Sequence, residues 1–161
     1  NQYSNFGEGL HAAMVMASVV NGMPLVYSGQ EAGLDRSLAF FEKDPIEWKT
    51  SPNAGIYKKL FALKHSNQAL WNGDWGGGMV RIYSDHMDQV ISFFREKNGD
   101  KVLPVINFSD KPVTVTLDTR YFTGIYQELF SEKEYTIVEN QIFTLKPWEY
   151  LIFYQTKNNV Q

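Results

Sequence analysis

The spacing of apolar residues changes near residue 72, and this change divides the chain into two kinds of structure. Before it, apolar residues follow a helical spacing around one continuous apolar run. After it, short segments alternate apolar and polar residues and are separated by turn sequences such as SDHMD and KNGD. A helical period of 3.6 and a strand period of 2 cannot be met by the same element. The sequence therefore predicts a mixed fold, an α/β segment followed by an all-β segment.

The first segment, residues 1–70, has the order helix, strand, loop, helix. Residues 8–21 are apolar on nearly every face, which is typical of a buried helix. Residues 23–28 form an apolar run typical of a strand covered on both faces in a parallel sheet. Ser51 and Pro52 then form a helix start, and the second helix is predicted over residues 52–66. Because a lone parallel strand has no partner for its backbone hydrogen bonds, we expect the residues before Asn1 to hold the rest of the sheet.

The second segment, residues 79–156, is predicted to be an antiparallel β-sandwich. About eight short strands recur at a spacing of roughly ten residues, as in sandwich domains. The stretch WNGDWGGG at residues 71–78 is predicted to be a flexible linker between the two segments.

Composition excludes several classes of protein and site. The net charge is −3 and the 15 Lys and Arg residues are dispersed, which argues against a nucleic-acid partner. The chain has no cysteine, so disulfides and thiolate zinc sites are excluded. No run reaches the roughly 18–20 apolar residues of a membrane span. His11, His65 and His86 are far apart, and residues 85–88 are expected to be a solvated turn rather than a calcium site, so neither a metal nor a cofactor is predicted. The localisation stays open.

The candidate site is the loop after the predicted strand. In a parallel α/β barrel, the loops at the carboxyl ends of the strands build the active site. Gly29 and Gly33 allow sharp turns at the start of this loop. Four side chains offer hydrogen bonds of both kinds to a hydroxyl-rich ligand, and they are the candidate substrate-binding residues of the cleft rim: Gln30, Glu31, Asp35 and Arg36.

Several motifs resemble the α-amylase family, glycoside hydrolase family 13. GMPLVYSGQE at residues 22–31 and FFEKDPIEW at residues 40–48 resemble the last barrel strand of that family and the loop that follows it. LKHSNQAL at residues 63–70 resembles the end of its last barrel helix. VINFS at residues 105–109 and LKPWEYL at residues 145–151 resemble its C-terminal β-sandwich domain.

This resemblance implies the terminal helix-strand-helix piece of a (β/α)8 barrel followed by the sandwich. It also implies a retaining glycosidase that acts on α-glucans such as starch and maltooligosaccharides, with an upstream barrel in the same polypeptide. The family carries its catalytic carboxylates on earlier barrel strands, so no catalytic residue is assigned here and the chain alone is expected to be inert. A related glucanotransferase or isomerase remains an alternative.

Other roles remain open for the loop residues. Glu31 is alternatively an anchor for the loop through backbone amides or an arginine. Glu42 and Asp44 look like a catalytic pair, but an ion-pair or capping role is favoured. Phe40, Phe41 and Trp48 are expected to pack within the loop unless one of them stacks on a sugar.

A second class of function is a stand-alone carbohydrate-binding or structural β-sandwich module. A binding module needs exposed aromatic rings that can stack on sugars, and the chain offers nine candidates: Trp71, Trp75, Tyr83, Tyr121, Tyr126, Tyr135, Trp148, Tyr150 and Tyr154. In either class, residues 8–27 of the isolated chain are expected to expose apolar surface and to drive self-association.

Overall fold

The computed structural model describes residues 2–157 of the 161-residue chain. Its helical part contains three α-helices: α1, Gln2–Phe6; α2, Leu10–Val19; and α3, Pro52–Ser66. Helix α3 has the bounds expected from sequence. It starts with Ser51, whose side chain accepts a hydrogen bond from the Asn53 backbone N–H, and with proline at the next position.

Helix α2 is the predicted buried helix, but it is shorter than residues 8–21. Residues Gly7–Gly9 form a 3-10 helix before it, and Val20 has extended backbone angles that end it before Gly22. Its buried side chains cover most of its circumference: Leu10, Ala12, Met14, Val15, Ser18 and Val19.

Residues 23–28 are not a hydrogen-bonded strand in this structure, which differs from the expectation. The segment is irregular, and Met23 and Leu25 are 81% and 83% exposed. Val26, in contrast, packs against the helical core. A strand requires the backbone of a neighbouring strand, and no described strand lies beside this segment.

Eight strands follow, in agreement with the predicted number. They are β1, Val80–Arg81; β2, Val90–Lys97; β3, Asp100–Asn107; β4, Val113–Leu117; β5, Gly124–Glu128; β6, Glu134–Ile137; β7, Gln141–Leu145; and β8, Tyr150–Gln155. Six of them form one sheet in the order β1-β2-β3-β8-β5-β6, while β4 and β7 form a second sheet. Every recorded strand pair is antiparallel. The antiparallel sandwich is therefore confirmed.

The large sheet is buried on both faces, so the molecule has three layers. Leu103 and Val105 of β3 point to one face and pack with the β4–β7 sheet. Val102 and Ile106 of the same strand belong to the core formed with α2 and α3. The strand period of two thus sends alternate side chains of β3 into two different cores.

Arg95 of β2 joins the helical part to the sandwich. Its side chain is 1% exposed and donates to four carbonyl oxygens, those of Val19, Val20, Trp71 and Gly77, at 2.9–3.1 Å. Carbonyls at a helix C-terminus carry partial negative charge, so they attract a guanidinium. Burial lowers the pKa of Arg95 from its ordinary value.

The linker 71–78 is packed rather than loose. Gly77 is buried against β2, and a Cβ there would lie 2.5 Å from the Glu96 carbonyl oxygen. Two of its carbonyls accept hydrogen bonds from Arg95, so both ends of the linker are attached to β2, while its flexibility stays a prediction.

Candidate functional site

The loop after residue 27 turns sharply at two glycines. Gly29 and Gly33 have φ values of +95° and +74°. A Cβ at Gly33 would lie 2.9 Å from Ser51 Oγ, and a Cβ at Gly29 would lie 2.9 Å from the Leu34 side chain. Both positions therefore combine a left-handed backbone with close packing, which explains why glycine occupies them.

Gln30 faces the helices and anchors the loop. Its Oε1 accepts from the Tyr27 backbone N–H at 3.0 Å and from the Tyr57 hydroxyl at 3.3 Å. Its backbone carbonyl accepts from Asn53 Nδ2 at 2.8 Å. These contacts occupy both of its oxygens, so Gln30, which is half-buried, ties the loop to α3.

Asn53 is the centre of a polar network that sequence reasoning missed. It is 2% exposed and lies in the first turn of α3. Besides Gln30, its side chain contacts the Tyr3 hydroxyl at 3.2 Å and His11 Nε2 at 3.0 Å. His11 is therefore hydrogen-bonded between α2 and α3. The sequence signal for Asn53 was slight, a polar residue on the apolar side of the helix.

Glu31 also anchors the loop. Its Oε2 accepts from the Gly29 backbone N–H at 3.0 Å. Tyr57 lies nearby on α3, and its pKa is raised mainly by burial and further by the negative charge of Glu31. The backbone-amide alternative considered for Glu31 matches this geometry.

Arg36 and Asp44 close the outer part of the loop. Both terminal nitrogens of Arg36 donate to the Asp44 carboxylate, each at 2.6 Å. Asp44 also accepts from the Ala39 backbone N–H at 2.8 Å. These hydrogen bonds lower the pKa of Asp44 from 3.8 to about 2. Asp44 is thus an ion-pair residue, as favoured from sequence, but its partner is Arg36 rather than the adjacent Lys43.

The Arg36–Asp44 pair holds two phenylalanines at the tip of the loop. Phe40 and Phe41 are 89% and 93% exposed, and their rings meet edge to face with centroids 4.8 Å apart. The expectation that they pack within the loop is therefore wrong except for this contact with each other. Asp35 is also exposed, and its charge contributes to raising the pKa of Arg36.

The loop carries five carboxylates, of which Asp35, Glu42 and Glu47 are exposed. Of its carboxylates, Asp44 is paired with Arg36 and Glu31 holds a backbone amide. Across residues 2–157, no group of three or more histidines and carboxylates is arranged to hold a metal ion. Within the same range, no helix is both long and apolar enough to cross a membrane. What the loop offers is hydrogen bonding and three exposed aromatic rings, those of Phe40, Phe41 and Trp48.

Residues 80–152 match the family model described as Maltogenic Amylase, C-terminal domain. The β-sandwich part of the chain is therefore similar to the C-terminal domain of maltogenic amylases. Alpha-amylase 2 of Dictyoglomus thermophilum is 29% identical over 140 residues, which is 79% of this chain. That match extends beyond the sandwich into the helical part. The resemblance of the chain to the C-terminal part of the α-amylase family is therefore confirmed.

Solved structures of this family have the same fold across both parts of the chain. The maltogenic α-amylase AmyB from Thermotoga neapolitana covers 93% of this chain with a TM-score of 0.75 and 23% identity. CldA, a cyclomaltodextrin glucanotransferase with a three-domain ABC distribution, covers 95% with a TM-score of 0.73 and 22% identity.

All three proteins are much longer than this chain. The chain spans 23% of the Dictyoglomus protein, 37% of AmyB and 33% of CldA.

Proposed function

We propose that this chain is the C-terminal part of a retaining glycoside hydrolase that acts on α-glucans. The observation that carries the proposal is the match of residues 80–152 to a maltogenic amylase C-terminal domain. The fold shared with AmyB supports it. The shared fold covers 93% of this chain and 37% of AmyB. In this proposal the parent polypeptide binds starch-derived oligosaccharides and an upstream barrel supplies the reacting groups.

The helical part is proposed to complete that barrel. Met23, Leu25 and Tyr27 alternate along one side of the extended segment and are all exposed, while Val26 packs inward. Alternate apolar side chains on an unpaired backbone are what a barrel strand presents when its neighbours are absent. An apolar groove of about 180 Å³ beside it is lined by side chains of α2 and by Leu25 and Tyr57. A neighbouring barrel strand and helix would cover these surfaces.

The loop is proposed to form one wall of the substrate cleft. It starts at the carboxyl end of the extended segment, which is the end where barrel enzymes place their active sites. Gln30 and Glu31 anchor it through the contacts described above, whereas Asp35, Phe40 and Phe41 are exposed and able to meet a ligand. In this arrangement, Gln30 and Glu31 position the rim and do not contact the sugar themselves.

Catalysis is proposed to depend on carboxylates outside this chain. A retaining glycosidase needs a nucleophile and an acid/base carboxyl about 5–5.5 Å apart. Asp44, the loop carboxylate that most resembles a member of such a pair, is neutralised by Arg36. The chain alone is therefore proposed to be inert.

The test is an assay of the full-length protein and of residues 1–161 on maltoheptaose and soluble starch. We expect the full-length protein to release reducing sugar whose first-formed anomer is α, as retention requires, and we expect no product from residues 1–161. A β first product, or no turnover of either substrate by the full-length protein, would overturn the proposal.

A glucanotransferase is the second candidate, because the fold is shared with CldA over 95% of the chain. The same assay separates the two functions through its products. Hydrolysis raises the concentration of reducing ends in proportion to bonds broken. Transfer or cyclisation redistributes chain length with little or no such rise.

A further inference from the structure

We propose a second α-glucan-binding site in a cavity where the end of α3 meets the sandwich. The cavity has a volume of about 580 Å³, within the range of about 300–1,000 Å³ typical of small-ligand pockets. It is lined by one indole, amide and hydroxyl side chains, one lysine and the edge of one carboxylate: Trp71, Gln68, Asn98, Ser66, Thr156, Lys157 and Asp100. The assignment of the ligand as a glucan rests on the proposed function, whereas the cavity and its polar groups do not.

Trp71 provides the flat apolar surface of this cavity. It is 37% exposed, so part of the ring system is open to a ligand. Its backbone is held on both sides, since its N–H donates to the Gln68 carbonyl at 3.0 Å and its carbonyl accepts from Arg95 at 3.1 Å. A rigid aromatic platform loses little conformational entropy when the C–H face of a pyranose packs on it.

Gln68 and Asn98 provide paired hydrogen-bonding groups with fixed orientation. Asn98 Nδ2 donates to Gln68 Oε1 at 2.8 Å. This contact leaves Gln68 Nε2 as a donor and Asn98 Oδ1 as an acceptor, and neither atom has a protein partner among residues 2–157. A sugar hydroxyl both donates and accepts, so an adjacent donor and acceptor can bind one or two neighbouring hydroxyls.

Asp100 holds the frame of the cavity together. It is 6% exposed, and its two oxygens accept from the backbone N–H groups of Gln68 and Lys157 at 2.7 and 2.8 Å. The three segments that line the cavity, from α3, the β2–β3 hairpin and the end of β8, are thus joined by one buried carboxylate. The cavity is preorganised, which favours binding of a flexible oligosaccharide.

The charges of the cavity favour a neutral polyol over an anion. Lys157 is the only cationic side chain in the lining, and the Asp100 carboxylate lies in the same lining. A phosphate or nucleotide site normally gathers several cationic groups or helix N-termini, and this cavity lies at the C-terminal end of α3. Neutral amides, hydroxyls and an indole match a saccharide instead.

The cavity is separate from the proposed cleft wall. The loop packs on Asn53 at the start of α3, whereas Ser66 and Gln68 lie at and just beyond its end. At 1.5 Å per residue, these ends are about 20 Å apart. The segment of a glucan that binds in the cavity is therefore different from the segment that binds at the loop.

The test compares Trp71→Ala with Trp75→Ala in the full-length protein. Trp75 lies in the same linker and is 77% exposed, but it does not line the cavity, so it is the matched control. The probes are adsorption to granular starch in the cold and turnover of maltotriose. We expect Trp71→Ala to weaken adsorption about tenfold while kcat/KM for maltotriose stays unchanged, and Trp75→Ala to alter neither.

A second variant tests the proposal in case Trp71→Ala does not fold. Gln68→Ala removes the free amide donor and leaves the indole in place, and we expect about fivefold weaker adsorption with an unchanged melting temperature. Adsorption of both variants equal to that of the unaltered protein would overturn the cavity proposal.

The two proposals fail in different ways. If the unaltered protein turns over no α-glucan but binds starch through Trp71, the cavity proposal stands and the proposed activity falls. If it turns over maltotriose normally and Trp71→Ala still adsorbs fully, the activity stands and the cavity proposal falls.

Discussion

At the scale of single residues, the loop depends on one ion pair and one buried amide. Arg36 and Asp44 close the loop around two exposed phenylalanines, and Asn53 ties its beginning to α3. The ion pair is solvent-accessible, so its effect is local rather than a large part of global stability.

Acidification is expected to open the outer loop before the rest of the molecule unfolds. The folded-state pKa of Asp44 is lowered from 3.8 to about 2 by its hydrogen bonds to Arg36 and Ala39. A lowered carboxyl pKa gives stabilisation that is present above the unfolded value and is lost as the pH falls through the folded value. Between about pH 4 and 2, the protection of the Ala39 amide against exchange, measured relative to an unstructured peptide at the same pH, should therefore decrease.

Asp44→Asn should produce the same loss of protection of the Ala39 amide already at pH 6. Glu42→Gln is the control, because Glu42 lies in the same loop but outside the ion pair. Exchange of the Ala39 amide should be unchanged in this variant. Slow exchange of the Ala39 amide in Asp44→Asn would contradict the role assigned to the pair.

The sequence predicted the roles of some of these residues and not of others. The ion-pair role of Asp44 was predicted from its place on a loop beside Lys43, but Arg36 as partner was not, since the seven intervening residues must fold back first. Asn53 joins residues 30, 11 and 3, and such long-range hydrogen bonds have no local pattern.

At the scale of elements, α3 supports both proposed sites. Its first turn receives the loop, and its apolar side packs Ile56, Leu60 and Leu63 into the helical core. Its last turn leads into the cavity beside Trp71. The helix start was predictable from Ser51 and Pro52, whose preferences are local.

Asn53→Ala should destabilise the attachment of the loop to α3. The change removes the hydrogen bonds of Asn53 to His11, Tyr3 and the Gln30 carbonyl, which keeps only its bond from the Gly33 N–H, at a cost of about 2 kcal/mol. Denaturant titration of the full-length protein measures this change. Lys58→Ala, at an exposed position of the same helix, is the control and should lie within about 0.5 kcal/mol of the unaltered protein. Equal stability of the two variants would contradict the central role of Asn53.

At the scale of the whole molecule, the helical part and the sandwich share the large sheet. One face of β3 packs on α2 and α3 and the other on the β4–β7 sheet. Arg95 adds four hydrogen bonds at this junction, all of them to backbone carbonyls. The two parts should therefore unfold together.

Arg95→Met is expected to break that cooperativity. It removes the donor from four carbonyls at the junction, and the loss of hydrogen bonds to a charged group should cost about 3 kcal/mol or more. Denaturant unfolding followed by separate helical and sheet signals should change from one transition to two. Arg81→Met, at an exposed arginine of β1, should leave a single transition. A single unshifted transition in Arg95→Met would refute the coupling.

Self-association of the isolated chain is expected through residues 8–27. Met23, Leu25 and Tyr27 are exposed along one side of an unpaired segment, and such apolar surface associates in water. Light scattering of residues 1–161 should therefore give a mass above 18.5 kDa. Met23→Lys combined with Leu25→Lys should shift it toward the monomer, whereas Val138→Lys, at an exposed position just after β6, should not. A monodisperse monomer before any substitution would contradict this expectation.

The sequence by itself determined the elements whose signals are local. The alternation of Val113, Val115 and Leu117 with polar residues marked β4 to the residue, and Ser51-Pro52 marked the start of α3. Only the tertiary structure decided features that depend on a distant neighbour. Residues 23–28 have a strand sequence but no described strand beside them, and both ends of the linker 71–78 are hydrogen-bonded to Arg95 of β2. The cavity at Trp71 likewise forms only where three separate segments meet, since hydrogen bonds and packing act between neighbours in space, while propensity acts between neighbours in sequence.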